Sequence, residues 1–127
     1  SSINSGVENT VNSNFSNIDT GICNFVGGCA SSIDSGSHNC ITTNKSSIGS
    51  GYLNQIICQA EEGFIGAGNR NIVCGVASSI VAGCENTVQA NYSTIVSGEN
   101  NTISFASTHL ASLSYTILPL SLYPPLI

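Results

Sequence analysis

Ser46–Ile56 reads SSIGSGYLNQI, and Ser93–Ile103 reads STIVSGENNTI. The two stretches share Ser, Ile, Ser-Gly, Asn and Ile at the same spacing. Working outward, one frame recurs along the chain: an Ile, a Gly three residues on, an Asn three further, and a Val or Ile two further. The sets are Ile3/Gly6/Asn9/Val11, Ile18/Gly21/Asn24/Val26, Ile33/Gly36/Asn39/Ile41, Ile48/Gly51/Asn54/Ile56, Ile65/Gly68/Asn71/Val73, Ile80/Gly83/Asn86/Val88 and Ile95/Gly98/Asn101/Ile103. Every step is 15 residues except one of 17, between Ile48 and Ile65. A unit this short cannot bury its own apolar face, so successive units must stack on one another as a solenoid.

With the Ile as position 0, small residues recur at −2 (Ser1, Ser16, Ser31, Ser46, Gly63, Ser78, Ser93) and at +2 (Ser5, Thr20, Ser35, Ser50, Ala67, Ala82, Ser97). Position +1 between them varies freely, from Asn4, Asp19 and Asp34 to Gly49, Gly66, Val81 and Val96. Constancy at alternate positions is the mark of a strand with one buried face. The alternation returns at +6, +8 and +10, so each unit is expected to be two short strands joined by turns. The Gly at +3 closes the first strand and supplies a positive φ angle. The seven Asn at +6 (Asn9, Asn24, Asn39, Asn54, Asn71, Asn86, Asn101) read as a structural ladder, its amides bonded along the stack.

The expected fold is therefore all-β, a parallel β-solenoid of about eight 15-residue coils. At ~4.8 Å per coil it would form a rod of roughly 35–40 Å. Residues 1–107 carry the repeats. Residues 108–127 form a degenerate last coil, with Leu110, Leu113, Thr116 and Leu118 in the Ile, Gly, Asn and Val slots, followed by a cap. That segment is apolar and uncharged, and Leu118, Leu120, Leu122 and Tyr123 within it are the candidate assembly contacts. The two residues added in the long step are expected at Ala60–Glu62, as a solvated bulge.

Composition narrows the function. Of 127 residues only 7% are charged, Lys and Arg number two, and the formal net charge is −5. A phosphate-driven nucleic-acid partner needs a basic surface and is excluded, and anionic membranes are disfavoured for the same reason. No apolar run reaches the ~18 residues of a membrane span; Leu110–Ile127, the nearest, is interrupted by Pro119, Pro124 and Pro125. The first residues already stand inside a repeat, and we expect the chain to be a mature product or a piece of a longer protein.

The repeat unit Ser-x-Ile-x-Ser-Gly-x-x-Asn-x-Ile, as in Ser46–Ile56 and Ser93–Ile103, resembles the head repeat of trimeric autotransporter adhesins, the YadA-like left-handed β-roll. It is also similar to repeats of viral and phage fibre proteins. The likeness covers about residues 1–107. The adhesin unit is nearer 14 residues and richer in Ala and Gly, and this chain has no neck motif or coiled-coil stalk. The resemblance implies a left-handed roll in each of three chains, packed as a homotrimer, with a role in attachment or fibre building at a cell or virion surface, extracellular and without catalysis. The partners expected are further copies of the chain and a host-surface receptor or glycan. The alternative is an ice-binding solenoid, for which low charge and flat faces speak. The mixed +7 column (Thr10, Phe25, Cys40, Gln55, Ile72, Thr87, Thr102) speaks against it.

Chemistry-bearing residues are few. We expect no catalytic residue, no cofactor and no metal. His38 and His109 fall in different columns with no nucleophile and acid arranged around them. Asp19 and Asp34 share a column, but two carboxylates are too few for a cation site. Asn14, Asn44 and Asn91 begin Asn-x-Ser sequons in one column and Asn100 begins a fourth, so they are candidate glycosylation sites. The six cysteines, Cys23, Cys29, Cys40, Cys58, Cys74 and Cys84, never share a column. They read as small apolar residues, with Cys58 and Cys74, on adjacent coils one column apart, the nearest candidates for a pair.

Overall fold

The computed structural model describes residues 1–104, together with the backbone of His109–Leu113 and Thr116–Ile117. Among these there is no helix. The odd strands are β1 (Ser2–Ile3), β3 (Asn17–Ile18), β5 (Ser32–Ile33), β7 (Ser47–Ile48), β9 (Phe64–Ile65), β11 (Ser79–Ile80), β13 (Thr94–Gly98) and β15 (His109–Leu113). The even strands are β2 (Thr10–Val11), β4 (Phe25–Val26), β6 (Cys40–Ile41), β8 (Gln55–Ile56), β10 (Ile72–Val73), β12 (Thr87–Val88), β14 (Thr102–Ile103) and β16 (Thr116–Ile117). Each set forms one parallel sheet in chain order, Ile on Ile in the odd sheet and Val or Ile on Val or Ile in the even one. This is a parallel β-solenoid of about seven coils; an eighth is present as its two paired strands.

The two apolar columns make the core. Ile18, Ile33, Ile48, Ile65, Ile80 and Ile95 on one side, and Val26, Ile41, Ile56, Val73, Val88 and Ile103 on the other, are fully buried. Each contributes about 1.5–3 kcal/mol by leaving water. Strand N–H groups donate to the next coil: Ser32 N to Ser46 O at 3.0 Å, Cys40 N to Asn54 O at 2.9 Å. A third line of parallel bridges runs down +4, from Val7 through Ile22, Ser37, Tyr52, Asn69 and Cys84 to Glu99.

The +2 residues, expected inward, are half-buried or exposed instead. In most coils the odd strand is only two residues long and the chain bends there. The bend is set by the Gly that follows. Gly68 has φ +125°, and a Cβ on it would collide with the carbonyl of Gly83 in the next coil. Stacked glycines let the coils approach at this corner.

Three other expectations change. The extra residues of the long coil are Cys58 and Gln59 rather than Ala60–Glu62. Ser46 Oγ donates to Ala60 O at 3.1 Å, as Ser31 Oγ does to Thr43 O at 2.8 Å. Ala60 is therefore the ordinary +10 residue, and the added turn precedes it. In the last coil Thr116 pairs with Thr102, and Ile117, not Leu118, pairs with Ile103. One residue fewer separates that coil's two strands, while Leu110 and Leu113 do pair with Ile95 and Gly98. The third change concerns Cys58 and Cys74, which form a disulfide with a Cα–Cα distance of 5.2 Å. They are not free because the added turn carries Cys58 out of the frame and beside the next coil. The assembly candidates Leu118, Leu120, Leu122 and Tyr123, and the cap assigned to residues 108–127, lie outside the described residues.

Candidate functional site

Two polar ladders flank the core. At the +6 corner Asn24, Asn39, Asn54, Asn71, Asn86 and Asn101 are almost fully buried; Asn9, in the first coil, is half-buried. From Asn9 to Asn86, each Oδ1 accepts the backbone N–H and the side-chain amide of the next Asn, as Asn39 Oδ1 does from Asn54 at 3.0 and 3.1 Å. The same amide reaches forward to a glycine carbonyl, Asn54 Nδ2 to Gly68 O at 2.9 Å. The structure thus brings all seven Asn into one column, with every buried side-chain polar atom among the described residues bonded.

The opposite corner carries a serine ladder that small size alone did not disclose. Ser16 Oγ accepts Ser31 N at 3.1 Å and donates to Gly28 O at 2.8 Å. Ser31, Ser46 and Ser78 repeat the pattern. A clue stood in the sequence: this column is Ser in six of seven coils, whereas +2 mixes Ser, Thr and Ala. Gly63 is the exception; a Cβ there would stand 2.7 Å from Ile56 Cγ2 and 2.9 Å from Ala60 O.

The sequon asparagines Asn14, Asn44, Asn91 and Asn100 are all exposed. Two of them also bond the preceding coil through their side chains: Asn44 Oδ1 accepts Cys29 N and Asn91 Oδ1 accepts Val76 N, each at 2.9 Å. The serines of their sequons, Ser46 and Ser93, are buried in the ladder.

The titratable groups are scattered. Asp19 Oδ1 accepts Asn4 Nδ2 at 2.9 Å and Asn17 Nδ2 at 2.8 Å. His38 Nδ1 lies 2.6 Å from Ser37 Oγ, and its ring meets Tyr52 edge-on at 5.7 Å. Cys23 Sγ donates to Glu8 at 3.2 Å, which holds its thiol above the ordinary pKa. Burial pushes the Cys40 thiol up as well. Among the described residues no three His, Cys, Asp or Glu gather as metal ligands.

The added turn interrupts this regularity. Cys58–Gln59 stands beside a notch of about 380 Å³, lined by Thr42, Thr43, Asn44, Cys58, Gln59, Glu61 and Val76 from three successive coils. The Cys58–Cys74 bond ties the turn to the next coil. Sequence reading missed the notch because its parts lie on three repeats and meet only through the stack. No protein-family model matches the chain, and no curated protein matches it.

Proposed function

We propose that the chain is a structural and attachment segment of a fibre on a cell or virion surface, working as a homo-oligomer and without catalysis. The observation that carries this reading is the recurrence of one cross-section, broken only by the added turn of the fourth coil. Seven coils in register devote the same Ser, Ile, Asn and Val/Ile positions to building length. A rod of this kind holds whatever it displays at a fixed spacing.

Two further features support it. The outward face of the odd sheet carries Phe64, Val81 and Val96, each more than 40% exposed, on successive coils with Gly66 between them. Apolar residues gathered on one face suit contact with further copies of the chain. The Cys58–Cys74 disulfide suits an oxidising, extracellular setting.

Light scattering tests the assembly. A homotrimer gives three times the 13.0 kDa chain mass, and deleting residues 118–127 lowers it. A full-length protein that stays at the chain mass at every concentration overturns the reading. Ice binding is the second reading. It is favoured by the outward −1 column of Ser2, Asn17, Ser32, Ser47, Ser79 and Thr94, broken by Phe64, in which Ser79 and Thr94 hydroxyls meet at 3.0 Å. Thermal hysteresis separates the two.

A further inference from the structure

We infer that the notch beside the added turn is a binding site for a neutral saccharide unit, such as the terminal sugar of a glycan. The inference does not require the chain to assemble, so it stands or falls apart from the fibre reading.

The notch exists because the repeat is broken at one place. In regular coils the chain passes directly from +9 to the small +10 residue, as from Thr42 to Thr43. In the long coil it first makes the turn Cys58–Gln59, with Cys58 at φ +65°. That turn overhangs the surface of the neighbouring coils, and the disulfide to Cys74 fixes it there. The site is thus held in shape before any ligand arrives, which lowers the ordering cost of binding. Its volume, about 380 Å³, lies at the small end of the range for small-molecule sites, roughly 300–1,000 Å³.

The lining selects the chemistry. Thr42 offers a hydroxyl, Asn44 and Gln59 offer amides, and Glu61 offers a carboxylate. Hydroxyl and amide groups both donate and accept, as the hydroxyls of a sugar do. No Lys or Arg lines the notch, and Lys45 nearby is engaged by Glu62 at 4.0 Å. An anionic ligand would therefore face the Glu61 carboxylate uncompensated. Metal binding would need more than this single carboxylate. Val76 and the disulfide sulfur supply the apolar surface against which the C–H face of a sugar ring can lie. Asn44 Oδ1 is held by Cys29 N and its amide lies 3.5 Å from Glu61 Oε1, so both side chains are partly oriented in advance.

The test is a titration of isotope-labelled full chain, followed by two-dimensional amide NMR. The probes are glucose, galactose, mannose, fucose and N-acetylglucosamine at millimolar concentration, with inorganic phosphate as the anionic comparison. We expect at least one sugar to shift Thr42, Asn44, Gln59, Glu61 and Val76, and phosphate to leave them unmoved. Gln59→Ala, at an exposed position whose disulfide neighbour is untouched, should weaken the sugar response by roughly tenfold, the loss of about one polar contact. No shift with any of the five sugars, shifts confined to other surfaces, or a phosphate response at these residues would each overturn the inference. Because the wild-type titration is read first, the result does not depend on any variant folding.

Discussion

Asn71 donates both its backbone N–H and its side-chain amide to Asn54 Oδ1, each at 3.1 Å, across a separation of 17 residues. The neighbouring pair, Asn54 on Asn39, makes the same two bonds at 3.0 and 3.1 Å across 15. The added turn has been absorbed before the ladder is reached, and Asn54 is bonded as fully as any member of its column.

Replacing Asn54 by Leu should therefore be costly. The change strands Asn71 N–H and one hydrogen of the Asn71 amide in a buried corner, while the amide keeps Gly83 O and Gly68 O keeps Tyr52 N. At roughly 1–3 kcal/mol for a buried polar group left without a partner, the loss is about 2 kcal/mol or more. Chemical denaturation measures it directly. A variant as stable as the parent would mean that water reaches this column and completes the bonds.

Cys58→Ser should cost about 3 kcal/mol, the chain-entropy contribution expected for a loop of ~15 residues; the bond closes a separation of 16. A reducing agent should lower the melting temperature of the parent equally and leave the Cys58→Ser variant unmoved. Cys29→Ser, at a thiol outside the bond, should change stability by no more than about 0.5 kcal/mol.

Ala30→Gly is expected to stabilise, against the usual direction of that substitution. Ala30 has φ +56° and is exposed, and its N–H donates backward to Asn14 O at 3.0 Å. A left-handed conformation costs an L-residue roughly 1–2 kcal/mol. Glycine escapes that and gives back about 0.5–1 kcal/mol in chain entropy. The net gain is up to about 1 kcal/mol, read as a higher melting temperature. A fall would indicate that the turn is not left-handed there.

Asp34→Lys and Val81→Lys occupy the same +1 column on the outward face of the odd sheet, three coils apart. Asp34→Lys should leave both stability and oligomeric mass unchanged, within about 0.5 kcal/mol for an exposed site. Val81→Lys should keep the fold and lower the mass in light scattering, because it places a charge in the Phe64–Val81–Val96 patch. If both variants keep the parent mass, copies of the chain do not meet on that patch.

The fold was legible because inward positions must recur once per coil. Ile at 0 and Val or Ile at +8 announce the two sheets, and Gly at +3 announces the corner where coils approach most closely. The left-handed turn residues were not legible. Glu8, Cys23, His38, Leu53, Arg70, Glu85 and Asn100 all adopt positive φ at +5, yet only His38 and Asn100 are residue types that favour it. What imposes the conformation is tertiary: His38 N, for example, turns back to Ile22 O at 3.0 Å, a bond that exists only once a coil lies beneath. The added turn was misplaced because Glu61 and Glu62 look like loop residues, whereas Glu62 simply holds the regular positive-φ position after +11. Counting Cys58 at +10, an inward column to which it does not belong, made it read as a small apolar residue, although Cys74 already stood as its nearest candidate partner. The notch of the candidate site was hidden because its lining comes from three coils that meet only through the stack.

The direction of the backbone bonds has a mechanical consequence. Strands run across the stacking direction, so the bonds joining coils lie along it. When the two chain ends are pulled apart, the terminal coils, each bonded to a neighbour on one side only, therefore open first, and coils peel in sequence from the ends. The Cys58–Cys74 bond straddles the seam between the fourth and fifth coils. Peeling from either side halts at that covalent rivet, so the middle of the rod holds after its ends have given way.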